Sequence, residues 1–120
     1  MAVSVADLIA KKETIEANKQ ALYDMETSIG IITIKTPSKA LMTEALDLTT
    51  GNDEYLIFNS CVSPKLGDAQ LQKAYKCAEP TDIVGKLFEP GEVVALSKKI
   101  MQLAGYGKTI AATIHEEAKN

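Results

Sequence analysis

Apolar residues return along most of this chain at helical spacing, and the period shortens only once, near the N-terminus. Ser4 with Asp7 three residues on is a capping-box variant. It opens a helix carrying Val5, Leu8, Ile9 and, further on, Ile15 on one face. The polar run Lys11–Gln20 either continues that helix or frays from it. Ala21-Leu22-Tyr23 and Ile29–Ile34 are then apolar, the second rich in β-branched residues, with Asp24–Ser28 between them. Ile32-Thr33-Ile34-Lys35 partly alternates, so a β-hairpin or a pair of short strands is predicted at about 21–35, with Gly30 as a bulge or a point of close approach. A lone hairpin is marginal in water, so it must lie on the helices.

The helical period resumes at Thr36, read as an N-cap with Pro37 at the first helical position. Leu41, Met42, Ala45, Leu46 and Leu48 supply that helix's apolar face, and Thr49–Asn52 is the turn after it. In Asp53–Pro64, Tyr55, Leu56, Ile57, Phe58, Cys61 and Val62 cover nearly every side of a helix. A helix apolar all round is buried all round, which puts this stretch at the centre of the domain. Pro64–Gly67 breaks it, and Asp68 caps a short helix with Leu71, Ala74 and Tyr75. Pro80-Thr81-Asp82 starts another, whose Ile83, Val84, Leu87 and Phe88 face inward. Glu89-Pro90-Gly91 begins the last, with Val93, Leu96, Ile100 and Leu103 at helical spacing and Gly105-Tyr106-Gly107 as its stop. The expected fold is mainly α (α+β): a single helical domain over residues 1–106, with five to six helices and one small β-hairpin. Residues 107–120 form a tail, mobile or helical, with Ile110 and Ile114 four apart.

Composition narrows the function classes. A chain of 120 residues, 46% hydrophobic and 24% charged, is globular and long enough for one thin core. The net charge of −3 offers no general attraction to nucleic acid or to an anionic membrane. All thirteen basic residues are lysines; the arginine fork that reads phosphates and base edges is absent. No apolar run is long enough to span a bilayer, and no signal peptide precedes the first helix. Cys61 and Cys77 fall in helical-looking runs, so reduced, buried thiols in a cytoplasmic protein are expected.

None of the chemical motifs survives inspection. Gly105-Tyr-Gly-Lys-Thr109 ends like a phosphate-binding loop, but Gln102 stands where the first glycine is needed and a helix, not a strand, precedes it. His115-Glu116-Glu117 lacks the second histidine of a zinc-protease motif, since Lys119 occupies that position. Ser60-Cys61 has no histidine in prospect to activate it. Asp53, Glu54 and Asp82 are explained as first-turn carboxylates meeting helix dipoles. Tyr55, Tyr75 and Tyr106 read as packing residues, and Met25, Met42 and Met101 as adaptable apolar contacts or core. The sequence thus assigns no catalytic, cofactor-binding or metal residue, expects no cofactor and no enzymatic activity, and leaves the partner-binding residues unknown. On residues alone, a small cytoplasmic helical adaptor or regulatory protein-binding module is one reading.

The order of packing residues supplies another. D-E-Y-L-I-x-x-S-C-V-S-P-x-L-x-D over Asp53–Asp68 is followed by the Leu71–Tyr75 helix. Next come V-x-K-L-F-x-P-G-E-V over Val84–Val93 and L-x-x-x-I-x-x-L-x-G-Y over Leu96–Tyr106. This succession resembles the tail assembly chaperones encoded in the tail gene clusters of phages and defective prophages of Gram-positive bacteria, over about residues 4–106. The resemblance implies a non-enzymatic binder in the host cytoplasm, absent from the mature virion. Such a binder keeps the tape measure protein soluble and helps tail tube protein assemble around it. Family members often occur in a short and a frameshifted longer form, and the tail after Tyr106 departs from the pattern as the end of a short form would. Self-association through that weakly amphipathic tail is a further expectation.

Overall fold

The computed structural model describes residues 2–115. It begins with two short helices, α1 (Val5–Ala10) and α2 (Lys12–Asn18), and a hairpin of β1 (Leu22–Thr27) and β2 (Gly30–Lys35). Helices α3 (Lys39–Asp47) and α4 (Asn52–Ser60) lead directly into a third strand, β3 (Cys61–Ser63). Three helices follow: α5 (Ala69–Ala74), α6 (Asp82–Leu87) and α7 (Pro90–Leu103). The mainly α expectation of five to six helices and one hairpin is therefore corrected. Among the described residues there are seven helices and a three-stranded antiparallel sheet, a mixed α+β fold that is 50% helical.

The third strand is where the hydrophobic pattern misled. Cys61 and Val62 continue the apolar run of α4 and look helical by spacing alone. Pro64, however, disfavours helical backbone at Ser63, and the chain turns extended at Cys61 (φ −76°, ψ 118°). Extended, Cys61 pairs with Ile34 and Ser63 with Thr33, leaving Val62 as the extra residue of a β-bulge. Val62 consequently faces out at 42% exposure, not into the core. The Ser63–Pro64 peptide bond is cis.

At the other edge β1 and β2 pair from Leu22↔Lys35 to Thr27↔Gly30, so β1 runs through the segment read as the inter-strand turn. The turn itself is Ser28-Ile29. The Thr27 hydroxyl donates to the Gly30 carbonyl (2.6 Å) and accepts from the Ile29 N–H (3.3 Å). Gly30 sits at φ +124°, a conformation that favours glycine, with nothing within 4 Å of where a Cβ would stand; its role is the turn and not close approach. Alternation places Tyr23, Met25, Ile32 and Ile34 toward the helices and Leu22, Asp24, Glu26, Ile31 and Thr33 outward.

Helix α4 is the hub. It packs against α7, α3, α6 and β3, and only Asn59 along it is exposed. Its Leu56 and Ile57 join Ile32, Ile34, Met42, Ala45, Leu66, Ile83, Val84, Phe88, Val93, Leu96 and Ile100 in one buried cluster. Side-chain hydrogen bonds lock the connections between these helices. Asn52 Nδ2 donates to the Ala45 and Leu48 carbonyls (both 2.7 Å), closing the end of α3 as α4 begins. Gln72 Nε2 donates to the Leu66 and Pro80 carbonyls (2.8 and 2.9 Å), holding α5 between the loops on either side. The hairpin turn is tied to α7, because the Glu92 carboxylate accepts both the backbone N–H (2.8 Å) and the hydroxyl of Ser28.

Caps agree with the sequence in part. Ser4 and Asp7 make a reciprocal capping box, and the hydrogen bonds from Ser4 hold the Asp7 carboxyl below its usual pKa. Asp68 accepts from the Leu71 N–H (2.9 Å), as expected. Thr36 is not an N-cap: Ser38 takes that role, accepting from Leu41 N–H (3.1 Å), while Thr36 is buried and bonds back to the Ala21 carbonyl. Helix α7 ends as predicted, with Gly105 at φ +95° and the bonds Tyr106 N–H to Met101 O and Gly105 N–H to Gln102 O (3.1 and 2.9 Å). The same arrangement ends α5, where Lys76 occupies the left-handed position at φ 53°.

Outside this core the chain is uncovered. Every residue from Ala2 to Gln20 is exposed, including Val5, Leu8, Ile9 and Ile15. Residues 108–115 form no helix or strand. The radius of gyration is 18.8 Å and the extents are 69 × 28 × 24 Å, against about 14 Å for a compact chain of this length.

Three stability outcomes follow from these details. Ser60 is buried with its Oγ lacking any hydrogen-bond partner among the described residues. Ser60→Ala should therefore keep or raise stability, by up to about 1 kcal/mol in chemical denaturation; a loss of similar size would show that the hydroxyl is satisfied. Lys76→Gly relieves the left-handed strain and should raise Tm by ~2–5 °C, whereas an unchanged or lower Tm would place the strain elsewhere. Removing residues 2–18 should shift Tm by no more than ~2 °C at low micromolar concentration, since none of them is buried; a larger fall would show that the segment packs on the core.

Candidate interaction surface

The N-terminal segment consists of two short helices that meet at Lys11, whose backbone (φ −95°, ψ 5°) interrupts them. Lys11 N–H bonds to Asp7 O (3.0 Å) at the end of α1, and Ile15 N–H to Lys11 O (2.9 Å) at the start of α2. Val5, Leu8 and Ile9 fall on one face at helical spacing. Beyond the break, α2 carries Ile15 together with Lys12, Glu13 and Glu16, all exposed. Val5 is 74% exposed and Ile9 71%, values that belong to an apolar stripe with no cover.

At the base of this arm lies a cleft of about 530 Å³ between the end of α2, the start of α3 and the end of α7. Met42, Leu103, Ala104 and Tyr106 supply its apolar lining, and Lys19, Lys39 and Lys108 its charge. None of the three lysines forms an ion pair among the described residues. A larger hollow of about 710 Å³ between α4 and α6 is polar, with Glu54, Glu79, Asp82 and Lys86 among its walls. Its Asp82 carboxylate is occupied locally, accepting from the Ala78 and Glu79 N–H groups (3.0 and 2.9 Å). The hairpin adds a third apolar surface through Leu22, Ile29 and Ile31. The outer edge of β1 is unpaired among the described residues, with Asp24 and Glu26 beside it as charges that discourage strand addition.

The residues considered for chemistry are scattered. Gly105–Thr109 follows the C-terminus of α7 and no helix begins after it through residue 115, so it is a helix stop and not a phosphate cradle. His115 lies in the tail, and Glu116 and Glu117 lie outside the described residues. Cys61 is half-buried, its thiol pushed up in pKa by burial and its Sγ 3.4 Å from the Pro64 carbonyl; Cys77 is likewise a free thiol. Tyr55 donates to Glu44 Oε2 (2.7 Å), a bond that raises its pKa, and it is half-buried against the core, whereas Tyr75 and Tyr106 stand at the rim. Met42 is core and Met25 and Met101 pack against it. No group of three or more His, Cys, Asp or Glu side chains is placed to hold a metal ion among the described residues. No helix among those residues is long and apolar enough to cross a membrane. What sequence reasoning missed is the cleft, because its lining comes from three separated segments. The arm's stripe was legible as a pattern, but not as a surface left uncovered.

Comparison with known proteins agrees with the order of packing residues. A crystal structure of the protein YqbN shares the fold, with a TM-score of 0.59 and 14% identity over 73% of this chain and 87% of that one. No curated protein sequence matches the chain. The family model for phage XkdN-like tail assembly chaperone proteins matches residues 11–119. The match continues through the segment after Tyr106, which therefore lies within the family's span and is not a departure from it. The chain belongs to the XkdN-like family of phage tail assembly chaperones.

Proposed function

We propose that this chain acts in the host cytoplasm as a non-enzymatic holdase for the tape measure protein, keeping it soluble while tail tube subunits assemble around it. On this reading it is displaced afterwards and absent from the mature virion. The observation that carries the reading is the family match over residues 11–119. The surface is consistent with it. A chaperone that must let go needs broad apolar contact without a deep enclosed pocket, since affinity grows with preorganised, fully desolvated anchors. The exposed apolar side chains here are spread over the arm, the hairpin and the tail. An amphipathic helix of the tape measure protein is the chemistry such surfaces accept.

Co-expression with a fragment of the neighbouring tape measure protein tests the reading. The fragment should move from the pellet to the soluble fraction when this chain is present and co-purify with it. A fragment whose solubility never depends on this chain would remove the holdase function, leaving only the family assignment.

A further inference from the structure

Helix α6 carries a glycine that the chain's own packing does not call for. Gly85 lies inside the helix, is exposed, and would set an added Cβ with nothing within 4 Å. Its backbone is not in the left-handed region either. Glycine in a helix interior is destabilising relative to alanine, and neither a turn nor a crowding neighbour accounts for this one. The use of a bare backbone that is left is the close approach of another molecule. The surroundings fit that use. Gly85 and Glu54 line both the hollow between α4 and α6 and a second hollow of about 330 Å³, so the two run together as one groove. Phe88, Pro90, Val93 and Val94 wall the second hollow, with Val94 57% exposed. The groove carries the acids Asp53, Glu54, Glu79 and Asp82 against one base, Lys86. Asp53 and Glu54 are half-buried, and the carboxylates of Asp53, Glu54 and Glu79 have no partner among the described residues.

We propose that this groove takes an amphipathic helix whose apolar edge is bordered by lysine or arginine, lying so close over α6 that only glycine fits at position 85. The apolar edge covers Val93 and Val94, and the basic border meets the unpaired carboxylates of Asp53, Glu54 and Glu79. Half-buried carboxylates gain more from such partners than fully exposed ones, because less water screens them. Two of these grooves face to face would set acid against acid, so the occupant is a different molecule and not the same face of a second copy. The inference rests on the holdase reading for the partner being a helix. The groove itself supplies where that helix lies and which charge it carries.

The test titrates the full chain into a labelled synthetic helix with a leucine and alanine stripe bordered by lysines, read by fluorescence anisotropy. A twin bordered by glutamates is the control. The lysine-bordered helix should bind about tenfold tighter than its twin, the effect of two or three ion pairs. Glu54→Gln with Glu79→Gln should remove most of that preference. Gly85→Leu should weaken binding roughly tenfold or more by obstructing the approach. Gly85→Ala separates a binding role from a folding one: it should raise Tm by ~3–6 °C and still weaken binding. A lysine-bordered helix that binds no better than its twin would overturn the proposal. So would a Gly85→Leu chain that binds like the wild type, or a Gly85→Ala chain with a lower Tm, since the fold itself would then need the glycine. Co-expression with the tape measure fragment distinguishes the two readings. A fragment held equally by the wild type and by Gly85→Leu leaves the holdase function standing and overturns the groove. A fragment that neither chain holds, with the synthetic helices behaving as described, removes the holdase function and leaves the groove.

Discussion

Leu56 and Ile57 on α4 meet the stripe of Val93, Leu96 and Ile100 on α7, and the other layers of the protein are built on that seam. Helix α3 covers it with Met42 and Ala45, α6 with Ile83 and Val84, and the sheet with Ile32 and Ile34. Each of these side chains except Ala45 is worth ~1.5–3 kcal/mol when fully buried, so the seam and its cover account for most of the apolar driving force the chain has. Little remains for the ends. With so thin a core, residues 2–20 are left exposed, as are Ile110 and Ile114 after Gly107.

The connections show how a small core is kept in one arrangement. Asn52 and Gln72 each spend both amide hydrogens on two backbone carbonyls, turning loops into rigid joints. Glu92 reaches from the first turn of α7 to the hairpin turn, so the sheet is tied at its tip as well as through its inner face. These bonds are individually modest, about 1 kcal/mol each, yet they decide orientation where apolar packing is permissive.

A tail assembly chaperone of this construction identifies itself through its packing order more than through any reactive group. The helices from α5 onward were legible because each has a start signal and an inward stripe, as Asp68 and Pro90 show, and Gly105 marks the end of the last. The sheet was half legible. The strands β1 and β2 announced themselves through alternation and β-branching, whereas β3 was hidden in an apolar run continuous with α4. The Val-Ser-Pro ending of that run was the available signal, since a residue before proline avoids helical backbone. The pattern at Thr36-Pro37 misled in the opposite way: Thr36 is drawn into pairing with Ala21, and the cap falls to Ser38.

By itself the sequence determined that the stretches of α3 to α7 contain helices, that Gly105 ends the last of them, and the central place of the Leu56–Ile57 helix. Those depend on local backbone sterics and on the spacing of apolar residues along one segment. Only the tertiary structure decided that Cys61–Ser63 joins the hairpin as a third strand, that the N-terminal stripe is left bare, and that Met42, Leu103 and Tyr106 meet Lys19, Lys39 and Lys108 in one cleft. The physical reason is that each of those outcomes depends on segments far apart in the chain competing for the same limited apolar surface. No single segment carries the record of which of them is left out.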